Sequence, residues 1–134
     1  MEKQNFLHKE YIMDIAELPH YHHEDKDAME FLQSKINNAD AFRAVADIFK
    51  HLGDPTRLRI FWVLCHCEEC VLNLAALLNM SSPAISHHLR PLKAGGLIVS
   101  RRKGKEVYYR AAATEETQLL HDMMEQAMKI TCFK

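Results

Sequence analysis

The run from Val71 to Asn79 is short and almost wholly apolar, with Leu72, Leu74, Ala75, Leu77 and Leu78 inside it. A helix with that composition has no solvated face and is expected to be buried on most sides. Met80-Ser81 follows at once and leaves room only for a tight turn. Ser81 or Ser82 then supplies an N-cap, and Pro83 falls in the first turn of a new helix, where a missing N–H costs nothing. The chain is therefore committed to a short buried helix joined almost directly to a second one. Few folds are built around such a pair.

The second helix is predicted to run to Ala94 with Ile85, Leu89 and Leu92 inward, and to bend or loosen at Pro91, which removes a hydrogen bond to His87. Gly95-Gly96 provides a left-handed helix end. Leu97-Ile98-Val99 and Val107-Tyr108-Tyr109-Arg110 flank a basic, Gly-containing turn and read as a β-hairpin. Upstream, Phe42, Val45, Phe49 and Leu52 recur at helical spacing over 39–52. Gly53 stops that helix, and Asp54-Pro55 caps another reaching about His66, with Leu58, Phe61, Leu64 and Cys65 inward. A short helix from Asp27 to Asn37-Asn38 precedes these, and a Met-rich helix begins near Thr114. The expected division is an acidic, His-bearing arm with a short helix over 1–38 and a second domain over 39–134.

This order predicts a mainly α fold with a β-hairpin wing, a winged helix-turn-helix. In that fold the second helix of the pair can lie in the major groove. The formal net charge of −1 for 134 residues argues against a nucleic-acid partner only when taken whole. Between 87 and 110, Arg90, Lys93, Arg101, Arg102, Lys103, Lys105 and Arg110 face Glu106 alone, while residues 1–40 carry nine acidic groups against four lysines. A basic segment of that density is the footprint of a polyphosphate partner. The expected DNA contacts are Ser82, Pro83, Ser86, His87 and Arg90 on the outward helix face, with Arg101, Arg102, Lys103 and Lys105 on the wing. His88 reads equally as a contact or as a partly buried, satisfied histidine.

No run approaches the roughly 18 uncharged apolar residues of a membrane span, and Met1 to Pro19 is too charged for a signal-peptide core. A cytoplasmic protein with no membrane partner is expected. The four cysteines, three of them in Cys65-His66-Cys67-Glu68-Glu69-Cys70, read as thiols rather than as a disulfide lattice. Enzymatic turnover is not expected. His66-x-Glu68 lacks the Pro-Cys-x-x-Cys of a nucleobase deaminase, and there is no P-loop, Gly-x-Ser-x-Gly or His-Glu-x-x-His.

Gly53-Asp54-Pro55-Thr56-Arg57-Leu58-Arg59-Ile60, Ser86-His87-His88-Leu89-Arg90, and Gly96-Leu97-Ile98 followed by Gly104-Lys105-Glu106-Val107-Tyr108-Tyr109 occur in one order. Over about 39–131 the chain resembles the ArsR/SmtB family of bacterial metal- and stress-responsive repressors. The resemblance implies a homodimer built through the first and last helices, bound to double-stranded operator DNA and released by an effector. Phe42, Leu120, Met124, Ala127 and Met128 are the residues expected at the dimer interface.

The family's Glu-Leu-Cys-Val-Cys-Asp-Leu box corresponds here to Glu69-Cys70-Val71-Leu72-Asn73-Leu74. Cys70 matches the first Cys, Leu72 replaces the second and Asn73 the acid. The family's Asp-x-His and His-x-x-Glu site on the last helix is not carried over, and His121 and Glu125 lie out of its register. The expected ligands are Cys67 and Cys70, with Cys65, His66 and an arm residue, His22, for zinc, cadmium or another thiophilic ion. On a continuous helix Cys65 and Cys67 would diverge by about 200°, so sharing an ion requires the helix to end between them. A redox-sensing thiol pair, a regulator with no effector, and a protein-binding adaptor on the same fold stay open.

Overall fold

The computed structural model describes residues 17–20 and 26–132. The chain divides into two compact units, Met1–Ala46 and Asp47–Lys134. In the first, helix α1 spans Lys26–Ile36, and Asn38 opens helix α2, Ala39–Leu52, by accepting the Ala41 N–H at 3.2 Å. Neither helix has a buried residue. The apolar spacing seen in the sequence is there, yet Phe42 and Val45 in the first unit and Phe49 in the second are all exposed.

The second unit continues through α3 (Pro55–His66), β1 (Glu69–Cys70), α4 (Val71–Leu78), α5 (Ser82–Ala94), β2 (Ile98–Lys103), β3 (Glu106–Ala111) and α6 (Glu115–Cys132). Local chemistry sets each boundary. Asp54 caps α3, its carboxylate accepting the Arg57 N–H at 2.8 Å with Pro55 in the first turn. The helix stops after His66 because Cys67 is extended. Asn79 closes α4 in the left-handed conformation at φ 52°, a geometry that asparagine tolerates better than most residues. Ser81 then caps α5 by accepting the Ala84 N–H. Gly96, at φ +75°, turns the chain out of α5 into β2.

One core joins these elements. Ile60, Phe61 and Leu64 of α3 meet Leu74, Ala75 and Leu78 of α4, Ile85, Leu89 and Leu92 of α5, Leu97, Ile98 and Leu120. The helix pair and the β2–β3 hairpin establish the winged helix-turn-helix. Among the described residues no helix is long and apolar enough to cross a membrane.

Two expectations change, and Pro91 finds its place in the helix. Helix α4 is buried on one side only, since Leu72 and Leu77 are 61% and 62% exposed; a helix of eight residues can turn just Leu74, Ala75 and Leu78 to a single core. Pro91, where a bend or loosening is expected, lies within α5, which is continuous from Ser82 to Ala94. It stands in the last turn, where its missing N–H removes a single hydrogen bond, and its carbonyl still accepts the Gly95 N–H at 2.9 Å. The sheet also has a third strand, in the order β1-β3-β2, because Glu69 and Cys70 pair with Tyr109 and Tyr108.

Phe61→Ala is expected to destabilise the second unit by about 3–5 kcal/mol, the cost of emptying a filled core position, whereas Leu72→Ala should change it by less than about 0.5 kcal/mol, as exposed substitutions do. Urea denaturation of the two variants measures both.

Candidate functional site

Burial of Ile85, Leu89 and Leu92 fixes the rotation of α5. Pro83, His87 and Arg90 are consequently exposed, and Ser82 and Ser86 half-exposed, on the side away from the core. His88 lies between the two faces with 16% of its side chain exposed, its Nδ1 3.8 Å from the Asp54 carboxylate. That contact turns it back toward the start of α3. Asp54 itself is held below the usual carboxylate range, chiefly by the Arg57 backbone N–H, with His88 adding to the effect.

The wing is a two-residue hairpin. Lys103 pairs with Glu106 across Gly104-Lys105, and Gly104 has φ +65° while Lys105 does not enter the left-handed region. This is the pattern of a type II′ turn, whose twist matches that of the strands. Arg101, Arg102, Lys103 and Lys105 are all exposed, but their charges are not equally available. Arg101 donates to both Glu68 carboxylate oxygens from Nε, at 2.8 Å each. The pair holds the Glu68 carboxyl below its ordinary range. Lys103 reaches over the Tyr108 ring, 5.7 Å from its centroid. Arg102 and Lys105 have no ion-pair partner among the described residues. In the sequence the four cations are equivalent; β1, which carries Glu68 to the hairpin, makes them unequal.

On α6 the expected interface residues separate. Leu120 is turned into the chain's own core, 7% exposed, and Met124 packs against that core. Met124 and Met128 line an apolar groove with Trp62, Val63 and Leu77. The apolar residues left exposed are Ala127 and Met128, which were expected at an interface, together with Leu119, Met123 and Ile130. Helical spacing alone grouped the expected residues of α6 and could not say which of them the chain covers itself.

The thiols of the Cys65–Cys70 run differ in exposure. Helix α3 does end between Cys65 and Cys67, as sharing an ion required. Yet Cys70 is buried, Cys67 is exposed with its Sγ 3.5 Å from the Val63 carbonyl, and Cys65 is half-buried. Burial pushes the Cys65 thiol up to about 11, and partial burial together with Glu69 raises that of Cys67. His22 lies outside the described residues. Among those described, the one group of three donor atoms within 4.8 Å of one another is His66, His121 and Glu125. His66 and His121 face each other through Nε2 atoms 3.0 Å apart. Glu125 Oε1 stands 3.6 Å from the first Nε2 and 3.3 Å from the second. The Trp62 indole N–H donates to the same oxygen at 2.9 Å. That bond above all, and then His121 and His66, holds the Glu125 carboxyl below its ordinary range. His121 and Glu125 are visible in the sequence as an i,i+4 pair, but only the fold brings His66 to them.

Thiols with raised pKa values react slowly at neutral pH. With iodoacetamide at pH 7.5 and peptide mass spectrometry as the readout, Cys67 should be labelled first, with Cys65 and Cys70 well behind. Equal labelling of all three would contradict the burial described.

Residues 54–100 match the family described as bacterial regulatory protein, arsR family. The chain is 35% identical over 94 residues to a transcriptional repressor SmtB homolog of Synechocystis sp., spanning 70% of this chain and 71% of that one. It is 41% identical over 88 residues to the cadmium resistance transcriptional regulatory protein CadC of Listeria innocua, spanning 65% and 71%. A solved homodimeric winged helix-turn-helix DNA-binding domain of Mycobacterium bovis, a possible ArsR-family transcriptional regulator, superposes with a TM-score of 0.62 at 31% identity, covering 69% of this chain and 85% of that one. With helix pair, wing and these likenesses in agreement, the chain belongs to the arsR family of bacterial regulatory proteins and is a DNA-binding transcriptional regulator, not an enzyme.

Proposed function

We propose that this protein is a homodimeric repressor that holds an operator through α5 and the β2–β3 wing and releases it when a metal ion binds. The observation carrying the reading is the contrast on α5. One face is locked into the core by Ile85, Leu89 and Leu92, and the other presents Ser82, Pro83, Ser86, His87 and Arg90 beside a basic hairpin. Arg90 suits a forked contact to guanine, the serines and His87 suit base edges or phosphate, and Arg102, Lys103 and Lys105 suit the backbone. Arg101 enters this set only by leaving Glu68. A dimer sets two such heads on two half-sites, as helix-turn-helix pairs require.

Two further observations support the assembly and the effector. The Leu119, Met123, Ala127 and Ile130 stripe, together with exposed Phe42 and Phe49 on α2, is apolar surface of the kind a second copy covers. Metal release is supported by relatives whose names include a cadmium resistance regulator and an arsenical resistance operon repressor. A redox switch through Cys67 and Cys70 draws less support, since Cys70 is buried and the Cys67 thiol is raised rather than activated. The arm over 1–38 is read as an appendage to the DNA-binding and dimerisation domain over 39–134.

Gel shifts on DNA upstream of the protein's own gene, with and without zinc, cadmium, copper(I), arsenite and an oxidant, test the whole reading; no shifted band under any condition would overturn it. Arg102→Ala with Lys105→Ala should weaken binding to all duplexes alike and flatten the dependence of log Kobs on log salt by about 0.9 for each phosphate no longer neutralised. Glu68→Gln should steepen the same slope by freeing Arg101. Unchanged slopes would remove the wing from the interface. Leu119→Glu with Ile130→Glu should give a monomer by light scattering at micromolar concentration, whereas Leu120→Glu should unfold the second unit.

A further inference from the structure

We propose that His66, His121 and Glu125 form a binding site for a borderline divalent transition-metal ion, Zn²⁺ by preference, which fastens α6 to the end of α3. Of the ligands expected from the sequence, His66 is the one that belongs to the group of three donors brought together among the described residues. Its members come from two helices, with His66 and His121 lying 55 residues apart in sequence.

The spacing of the donor atoms carries the assignment. Tetrahedral zinc with bonds of about 2.0–2.1 Å holds its ligand atoms about 3.3 Å from one another. The three separations here are 3.0, 3.3 and 3.6 Å. An ion therefore fits with shifts of a few tenths of an ångström, within the reach of side chains that are all partly solvated. In the metal-free form the two Nε2 atoms share a single proton, as one must donate and the other accept. An ion takes both lone pairs, so each imidazole then carries its proton on Nδ1. Glu125 supplies the anionic oxygen, and Trp62 Nε1 orients it from outside in the manner of partners that aim metal ligands. His66 and His121 also line a cleft with Cys67, Glu68, Thr114 and Gln118, leaving a solvent-accessible side from which a fourth ligand can come.

Two imidazoles and a carboxylate select zinc, cobalt or nickel over ions that demand thiolates, such as cadmium or trivalent arsenic. The position gives the ion leverage. His66 is the last residue of α3, and Glu69 three residues later opens the strand that leads into α4. An ion bridging His66 to α6 ties the helix bearing the uncovered apolar stripe to the segment entering the DNA-reading pair. That consequence for DNA rests on the metal-released repressor reading above; the binding site does not.

Co²⁺, followed by its visible d–d absorption, and Zn²⁺, by competition against it, are the probes, used on the full chain. One ion per chain with tetrahedral cobalt bands and no thiolate charge-transfer absorption is expected. His66→Ala, His121→Ala and His121→Gln should each weaken binding more than about 100-fold, beyond the 10–100-fold range that loss of an outer partner costs, which is the effect expected of Trp62→Phe. Cys67→Ser with Cys70→Ser should leave affinity unchanged. Circular dichroism identifies any variant that fails to fold, and His121→Gln keeps the side chain polar if His121→Ala does not fold. Thiolate charge transfer in the wild type, or retained cobalt binding in folded His121→Ala and His121→Gln, would overturn the site. A gel shift on the same proteins separates the two ideas. If the protein binds zinc but no metal ion releases DNA, the repressor reading fails and the site stands; if metal still releases DNA from folded His121→Gln that no longer binds cobalt, the coupling of this site to DNA fails and the repressor reading stands.

Discussion

Burial of Phe61 and its neighbours Ile60 and Leu64 at the junction of α3, α4 and α5 is the contact on which the rest depends. These three side chains are 0–2% exposed and share one buried cluster with Leu74, Ala75 and Leu78 of α4 and Ile85, Leu89 and Leu92 of α5. The apolar side of α5 has to turn toward them, so its polar side has to turn away. The polar face of α5, proposed to read DNA, is thus a by-product of core packing, and it needs no interactions of its own to stay in place. Leu97 and Ile98 enter the same core, and this seats the first residues of β2 and aims the hairpin.

Charge is arranged on that scaffold rather than by it. A protein of net charge −1 concentrates seven cations against one acid between residues 87 and 110. The acidic excess lies elsewhere along the chain, apart from Glu68, which β1 brings against Arg101. A single carboxylate thereby moderates the wing. An exposed pair of this kind adds little to stability, so its main consequence is the number of cations the wing presents.

Much of this is legible in the sequence, and the particular failures share a cause. Asp54-Pro55, Ser81 with Pro83, Gly96 and Gly104 are local signals, and each helix end or turn they predict is present. The phase of α5 is legible because one face is apolar and the other polar. On α4 and α6 apolar residues occupy more than one face, so periodicity overstates the burial of Leu72 and Leu77 and assigns Leu120 to an interface when the chain uses it internally. The two-residue β1 has no pattern to detect; it exists because Tyr108 and Tyr109 are there to pair with it. The histidine cluster is hidden for the same reason. His66 stands out only as a member of a cysteine-rich run, and its partners are fixed by how α6 returns along α3.

The central claim is that α5 and the wing grip the phosphate backbone of duplex DNA. Fluorescence anisotropy of a short labelled duplex, titrated with the protein across a range of salt concentrations, tests it most directly. The account predicts a straight and steep fall of log Kobs with log salt, about 0.9 per phosphate neutralised, corresponding to several phosphates. No binding at low salt, or an affinity indifferent to salt, would contradict it.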